Sequence, residues 1–237
     1  MAEPAKKAPA KRAPAKKAPA KKVPATKARY TGAAFFDLDR TLLAGASGPV
    51  FSRALREVGL LDGSPTPAEG AVFKLFDVLG ENYPMMMATR QGIRFVKGWD
   101  VATAEEAARI AAPELLQKVL PYAHVEIAEH RAHGRAVVLA TTTPEHLVRP
   151  LADLLGFDAV IATRYGRSDD GVTFDGTVDG EYVWGKGKAR SVAAWAAEHQ
   201  LDLADCHAYS DSYYDVPMLS IVGHPHAVNP DPRMIAV

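Results

Sequence analysis

The tetrapeptide Ala33-Ala34-Phe35-Phe36 is apolar at every position and stops at a carboxylate, Asp37. A run this short, with no polar alternation, suits a strand buried on both faces. Strands of that kind belong to parallel sheets covered by helices, which narrows the choice of folds sharply. The pattern recurs. Ala136-Val137-Val138-Leu139-Ala140 runs into three threonines, and residues 206–209 run into Ser210-Asp211. Val160 and Ile161 suggest a further strand, and residues 227–232 a last strand and a turn. Residues 171–180, rich in Gly, Asp, Thr and Val, are expected to form a hairpin.

Helical periodicity fills the intervals. Leu147, Val148, Leu151, Leu154 and Leu155 fall on one face, as do Ala189, Val192, Ala193 and Ala196. Thr142 or Thr143 is expected to cap the first of these helices, with Glu145 completing a capping box on Thr142. Strands alternating with helices predict an α/β fold with a parallel sheet. The stretch from about 49 to 133 reads as mainly helical, with Pro113 expected to open one helix. That block is far longer than an ordinary crossover and is better explained as an inserted cap. The expected division is a tail over 1–30, a core over 31–44 and 126–237, and a helical cap over 45–125.

Of the 237 residues, 48% are hydrophobic, enough to build a substantial core. No apolar run approaches the roughly 18 residues of a membrane helix. A single cysteine, Cys206, excludes an internal disulfide framework and fits a reducing, cytoplasmic compartment. The formal net charge of zero conceals an asymmetry. Residues 1–30 carry ten Lys and Arg against Glu3 alone, about +9, and the remainder carries the opposite charge. Prolines at 4, 9, 14, 19 and 24 break any helix there, and nothing bulky and apolar precedes Val23. The segment is read as a disordered, extended tail. It has neither the apolar region of a secretory signal nor the amphipathic, Ser-rich pattern of a transit peptide. It is either a solubilising tail or a weak, salt-sensitive contact for polyanions such as nucleic acid. With no aromatic residues among the lysines, such contact would be independent of base sequence.

Chemistry-bearing residues gather where the predicted strands end. Asp37 and Asp39 are two apart, which puts both carboxylates on one side of an extended segment. Open α/β sheets bind ligands at that end. Paired carboxylates repel unless a cation or proton intervenes, so one could act as nucleophile while the other handles protons. Thr141 and Thr142 stand between a strand and a helix N-terminus, a ready anion site. Gly185-Lys186-Gly187-Lys188 opens the next helix, and either lysine could balance a phosphate. Asp211 and Asp215, four apart after another strand, are donors suited to magnesium. Each feature also has a plainer explanation, an acidic turn or a helix cap.

In this order the set resembles the haloacid dehalogenase superfamily of phosphohydrolases, most closely its subfamily IB, the group that includes phosphoserine phosphatase. The resemblance rests on Asp37-x-Asp39-x-Thr41, Thr141-x-Thr143-Pro144-Glu145, Lys188 and Asp211-x-x-x-Asp215, and spans about residues 31–237. It implies a Rossmann-like doubly wound parallel sheet with an inserted helical cap. It also implies Mg2+-dependent hydrolysis of a small phosphorylated substrate. Asp37 would be the nucleophile and Asp39 the proton donor and acceptor. Thr141, Thr142 and Lys188 would bind phosphate, and Asp37, Asp39, Asp211 and Asp215 would hold the metal.

The sequence departs from that pattern in places. Residues 44–48 lack the cap-side acid that a phosphoserine phosphatase uses for the substrate amine, and Ser210 replaces a usual glycine. Tyr213 and Tyr214 either line the pocket or pack. In the cap, Arg90, Arg94 and Lys97 are candidates for binding anions, and Met85, Met86 and Met87 for an apolar wall that would suit a lipid-like phosphate. The same residues could pass phosphate to an acceptor other than water, making a phosphotransferase. A reading of another class is a regulatory protein that docks through its basic tail. Removal of residues 1–29 is expected to abolish retention of the protein on immobilised nucleic acid at low salt. Unchanged retention would assign the tail a solubilising role.

Overall fold

The computed structural model describes residues 29–64, 66, 70, 81 and 83–236. The expected disordered tail, up to residue 28, lies outside the described residues. Six strands form one sheet in the order β4-β3-β2-β1-β5-β6. They are β1 (Ala33–Phe36), β2 (Ala136–Pro144), β3 (Ala159–Arg167), β4 (Phe174–Asp179), β5 (His207–Ser210) and β6 (His224–Ala227). All neighbours are parallel except β3 and β4. The described helices of four residues or more, 3-10 turns aside, are α1 (Gly48–Glu57), α2 (Tyr83–Gly92), α3 (Val101–Gln117), α4 (Pro121–Ala132), α5 (Glu145–Leu154), α6 (Lys186–Glu198) and α7 (Val216–Leu219).

The uniformly apolar first strand sits at the centre, between β2 and β5, with all four residues fully buried. Alternation of the pleat then divides the core in two. Ala34 and Phe36 join Val137 and Leu139 against Phe51 of α1, Leu115 of α3, Ile127 of α4 and Leu151 of α5. Ala33 and Phe35 join Val138 and Ala140 against Val192 of α6 and Met218 of α7. Helices therefore cover both faces, as a doubly wound sheet requires. Residues of α1 and α3, inside the stretch expected as a cap, share a continuous buried cluster with Phe36 and Leu139.

Several local expectations are corrected. Pro113 does not open a helix. It lies inside α3, whose start is set by Asp100, with its carboxylate accepting from Thr103 N–H at 2.7 Å. Pro113 is on the exposed side, so the carbonyl it leaves without a donor faces water. Pro121 does open a helix, α4, as Pro49 and Pro217 stand in the first positions of α1 and α7. Leu154 leaves the apolar face of α5 and is 56% exposed. The hairpin is displaced: its arms are the end of β3 and all of β4, with Gly171 in the intervening turn at φ 73°. The last strand is β6, ahead of residues 227–232. Pro225 is tolerated there because an edge strand leaves one side without ladder bonds.

Close approach of backbone fixes several glycines, Gly223 most tightly. A Cβ on Gly223 would run into the carbonyl of Ala204, in the turn that leads into β5. Gly223→Ala is expected to cost about 1–3 kcal/mol, the usual penalty for overpacking. Denaturant unfolding would measure it, and an unchanged midpoint would show that the turn can yield.

Candidate active site

The carboxyl ends of β1, β2 and β5 converge, and β1 brings Asp37. Its N–H donates to the Tyr209 carbonyl at 3.0 Å, tying the residue to β5. The chain then makes a wide turn over Leu38–Leu42, in which Asp39 is extended and Arg40 adopts a left-handed φ of 59°. Few non-glycine residues accept that conformation. The Arg40 carbonyl accepts from Asn229 Nδ2 at 2.9 Å. Through this turn Asp37 and Asp39 face the same cavity. Asp39 Oδ1 also accepts from Ser47 N–H at 2.7 Å.

β2 brings the threonines. Its register against β3 shifts between Thr141 and Pro144. Thr143 N–H donates to Thr141 Oγ1 at 3.2 Å, and the Thr142 hydroxyl donates to the Val183 carbonyl at 2.8 Å. Neither threonine caps α5. The N-cap is Pro144, with no side-chain bond, so the expected capping box does not form. Thr141, Thr142 and Thr143 all line the cavity instead.

Lys188 and Lys186 have different surroundings. Lys186 is exposed, whereas Lys188 is fully buried. The Lys188 Nζ donates to Asp37 Oδ1 and to Asp215 Oδ2, both at 2.7 Å. Asp215 Oδ2 also accepts from Ser210 Oγ at 2.7 Å, and its Oδ1 is buried with no hydrogen-bond partner. Asp211 pairs with Arg40 Nε at 2.9 Å and accepts a long bond, 3.4 Å, from the Thr41 hydroxyl.

Glu81 was not singled out in the sequence. It sits in Gly80-Glu81-Asn82-Tyr83-Pro84, with no spacing that ties it to the other motifs. Its Oε2 accepts from Trp184 Nε1 at 2.9 Å and from Ser212 Oγ at 3.0 Å, and the Arg233 guanidinium bonds its main-chain carbonyl. This brings a fifth carboxylate to the group.

The electrostatics show a shortage of positive charge. Burial pushes Asp37 well above the ordinary carboxylate range, with Asp215, Asp211 and Glu81 adding to it and Lys188 opposing it. Burial, aided by Asp215, raises Glu81 to about 7. Burial also raises Asp211 to about 7, although Arg40 opposes it. For Lys188, burial disfavours the ammonium, but Asp215, Asp37 and Glu81 outweigh that and keep it charged. Among the described residues no three His, Cys, Asp or Glu side chains stand together as a metal site. The donor chemistry of Asp37, Asp211 and Asp215 nonetheless suits a hard cation: oxygen ligands, two of them held toward the neutral form by burial, and one orphaned carboxylate oxygen.

The cavity in front of these groups measures about 320 Å3. Met85 and Met86 line it and Met87 does not. Arg90, Arg94 and Lys97 are also absent from its lining. Arg90 lies over the Tyr182 ring at 5.4 Å, and Arg94 bonds the Gln91 carbonyl at 2.8 Å. Tyr213 and Tyr214 pack rather than line: Tyr214 stands 4.7 Å from the Trp184 ring, and Tyr213 is partly exposed. Tyr165 and Tyr182, which the sequence did not mark, complete the wall.

Comparison with known proteins follows the same residues. The model of the haloacid dehalogenase-like hydrolase family matches residues 34–220. An inhibition of morphological differentiation protein of Streptomyces azureus is 38% identical over 201 residues, 84% of this chain and 72% of that protein. A phosphoserine phosphatase of Mycobacterium tuberculosis is 35% identical over 207 residues, 86% of this chain and 67% of that protein. A crystal structure of a Bordetella pertussis protein of unknown function superposes with a TM-score of 0.71 at 25% identity, covering 87% of this chain and 94% of that one.

Lys188→Met would leave Asp37 and Asp215 buried without their shared counter-ion. A loss of about 3–5 kcal/mol is expected at neutral pH, as for a buried pair stripped of one partner. Urea unfolding would measure it, and an unchanged midpoint would mean that water already reaches the pair.

Proposed function

The chain belongs to the haloacid dehalogenase-like hydrolase family, and on that premise we propose that it is an Mg2+-dependent phosphatase working through an aspartyl-phosphate on Asp37. The observation that carries this reading is the buried Lys188 bridge between Asp37 and Asp215, with Asp37 lining a cavity that Asp39 and Thr141 also line.

In the first step an Asp37 carboxylate oxygen attacks phosphorus and the bond from phosphorus to the leaving oxygen breaks. Asp39 gives its proton to that oxygen, so the product leaves as an alcohol. In the second step water attacks phosphorus, Asp39 takes its proton, and the bond to Asp37 breaks. Inorganic phosphate is released and both carboxylates are restored. Thr141 and Lys188 offset the charge on the phosphoryl oxygens, which is where most of the catalytic work of phosphoryl transfer lies. Thr142 contributes its cavity-facing position, since its hydroxyl is held by Val183. Asp37, the main-chain carbonyl of Asp39, Asp211 and Asp215 are the donors that would hold Mg2+. When bound, the ion supplies positive charge that lets a carboxylate approach a phosphate dianion.

Two outcomes test the reading. Asp37→Asn should reduce Mg2+-dependent release of phosphate from p-nitrophenyl phosphate to background while leaving the fold intact by circular dichroism. Retained activity would remove Asp37 as nucleophile. The second outcome concerns stability. Asp211 and Glu81 titrate near 7 in the folded chain, above the ordinary value of about 4. Their contribution to stability is therefore complete below about pH 4 and is lost as pH rises through about 7. A bound cation favours the ionised forms. The rise in melting temperature on replacing EDTA with Mg2+ should thus grow between about pH 5.5 and pH 8. A rise that shrinks over this range would count against metal binding at these carboxylates.

A further inference from the structure

Resting on the phosphatase reading, we propose that the substrate is the phosphomonoester of a small amino alcohol without a carboxylate, its ammonium paired with Glu81. The cavity is at the small end of ligand pockets, about 320 Å3, a size that suits a compact leaving group. Beyond the strand ends its wall is made by Phe51, Met86, Ile93, Leu147, Tyr165 and Tyr182. Among the described residues no lysine, arginine or histidine lines it. The nearby cations are already engaged: Lys188 by Asp37 and Asp215, Arg40 by Asp211.

A carboxylate on the leaving group would therefore enter a space in which the described lining offers carboxylates and no cation to meet it. Unpaired charge in such a place is strongly disfavoured and is an effective means of rejecting a ligand. An ammonium meets the opposite situation. Among the described residues, Glu81 is the one charged lining residue that does not come from the turn after β1 or the end of β5. It is a built feature, fixed through Trp184, Ser212 and Arg233. Both described hydrogen bonds to its carboxylate end on Oε2. A carboxylate has about four acceptor positions, so capacity remains for an ammonium donor. Tyr165 and Tyr182 add aromatic surface to the same wall, Tyr182 with Arg90 already over its ring.

The test uses the full chain with Mg2+ and four probes: O-phosphoethanolamine, its N-acetyl derivative, O-phosphoserine and p-nitrophenyl phosphate. Phosphate release gives kcat/KM, and calorimetry on Asp37→Asn gives affinity for the first three. O-Phosphoethanolamine should exceed both the N-acetyl derivative and O-phosphoserine by about tenfold or more, equivalent to roughly 1.4 kcal/mol. Glu81→Gln should bring the ratio of amine to N-acetyl ester close to one. Equal or better use of O-phosphoserine, or a ratio that survives Glu81→Gln, would overturn the proposal. The comparison in the unsubstituted protein decides the matter by itself should Glu81→Gln fail to fold. Hydrolysis of p-nitrophenyl phosphate without the ranking would overturn this proposal alone. Ranked binding without release of phosphate from any ester would overturn the phosphatase reading and support the pairing.

Discussion

A lysine with no contact to solvent, held 2.7 Å from two carboxylates, is the interaction around which this end of the molecule is arranged. Burying an ammonium costs several kcal/mol, and only close opposite charges with good geometry can offset that. Asp37 must therefore leave β1, and Asp215 must leave the turn after β5, at positions set to within a hydrogen-bond length of one nitrogen. The start of α6 is pressed close to make this possible. At Gly187 a Cβ would collide with the Tyr182 carbonyl, so the residue before the lysine has to lack a side chain. The segment it presses on is itself fixed, because Val183 donates to Thr163 Oγ1 at 3.1 Å and accepts from Thr142.

That one ammonium does not balance the group. With Asp39, Glu81 and Asp211 added and Arg40 paired with Asp211, carboxylates outnumber cations among the described side chains of this cluster, and burial raises three of them. On the proposed reading that imbalance would suit a hard cation together with a phosphate, and the proposed pairing with Glu81 would draw on the same excess. The acidic excess of the folded part, visible in the charge of residues 31–237, is thus partly concentrated at this cluster.

The strands around the site were legible in the sequence because they are dictated by burial on both faces. Ala33–Phe36 is a strand over the span its apolar run predicts. The helix boundaries were less so. Pro113 was read through a general preference for helix starts, whereas a side-chain cap at Asp100, thirteen residues earlier, decides the boundary. Thr142 has the composition of a cap, yet a tertiary partner, the Val183 carbonyl, takes its hydroxyl. Motif residues at strand ends could be named in advance because a parallel sheet gathers its strand ends and the ordered set resembles a known family. Glu81 could not, since its position depends on Trp184, Ser212 and Arg233, contacts that span more than a hundred residues.

The placement of β1 has a consequence for biosynthesis. It is the first strand of the described chain and the centre of the sheet, pairing with β2 on one side and β5 on the other. A chain emerging from the ribosome can complete the first pairing once Ala136–Pro144 is made, but the second must wait for His207–Ser210. Until then the most apolar strand has a bare edge, and Asp37 lacks both Lys188 and Asp215. Nascent chains stalled before α6 should therefore be the species most in need of chaperones.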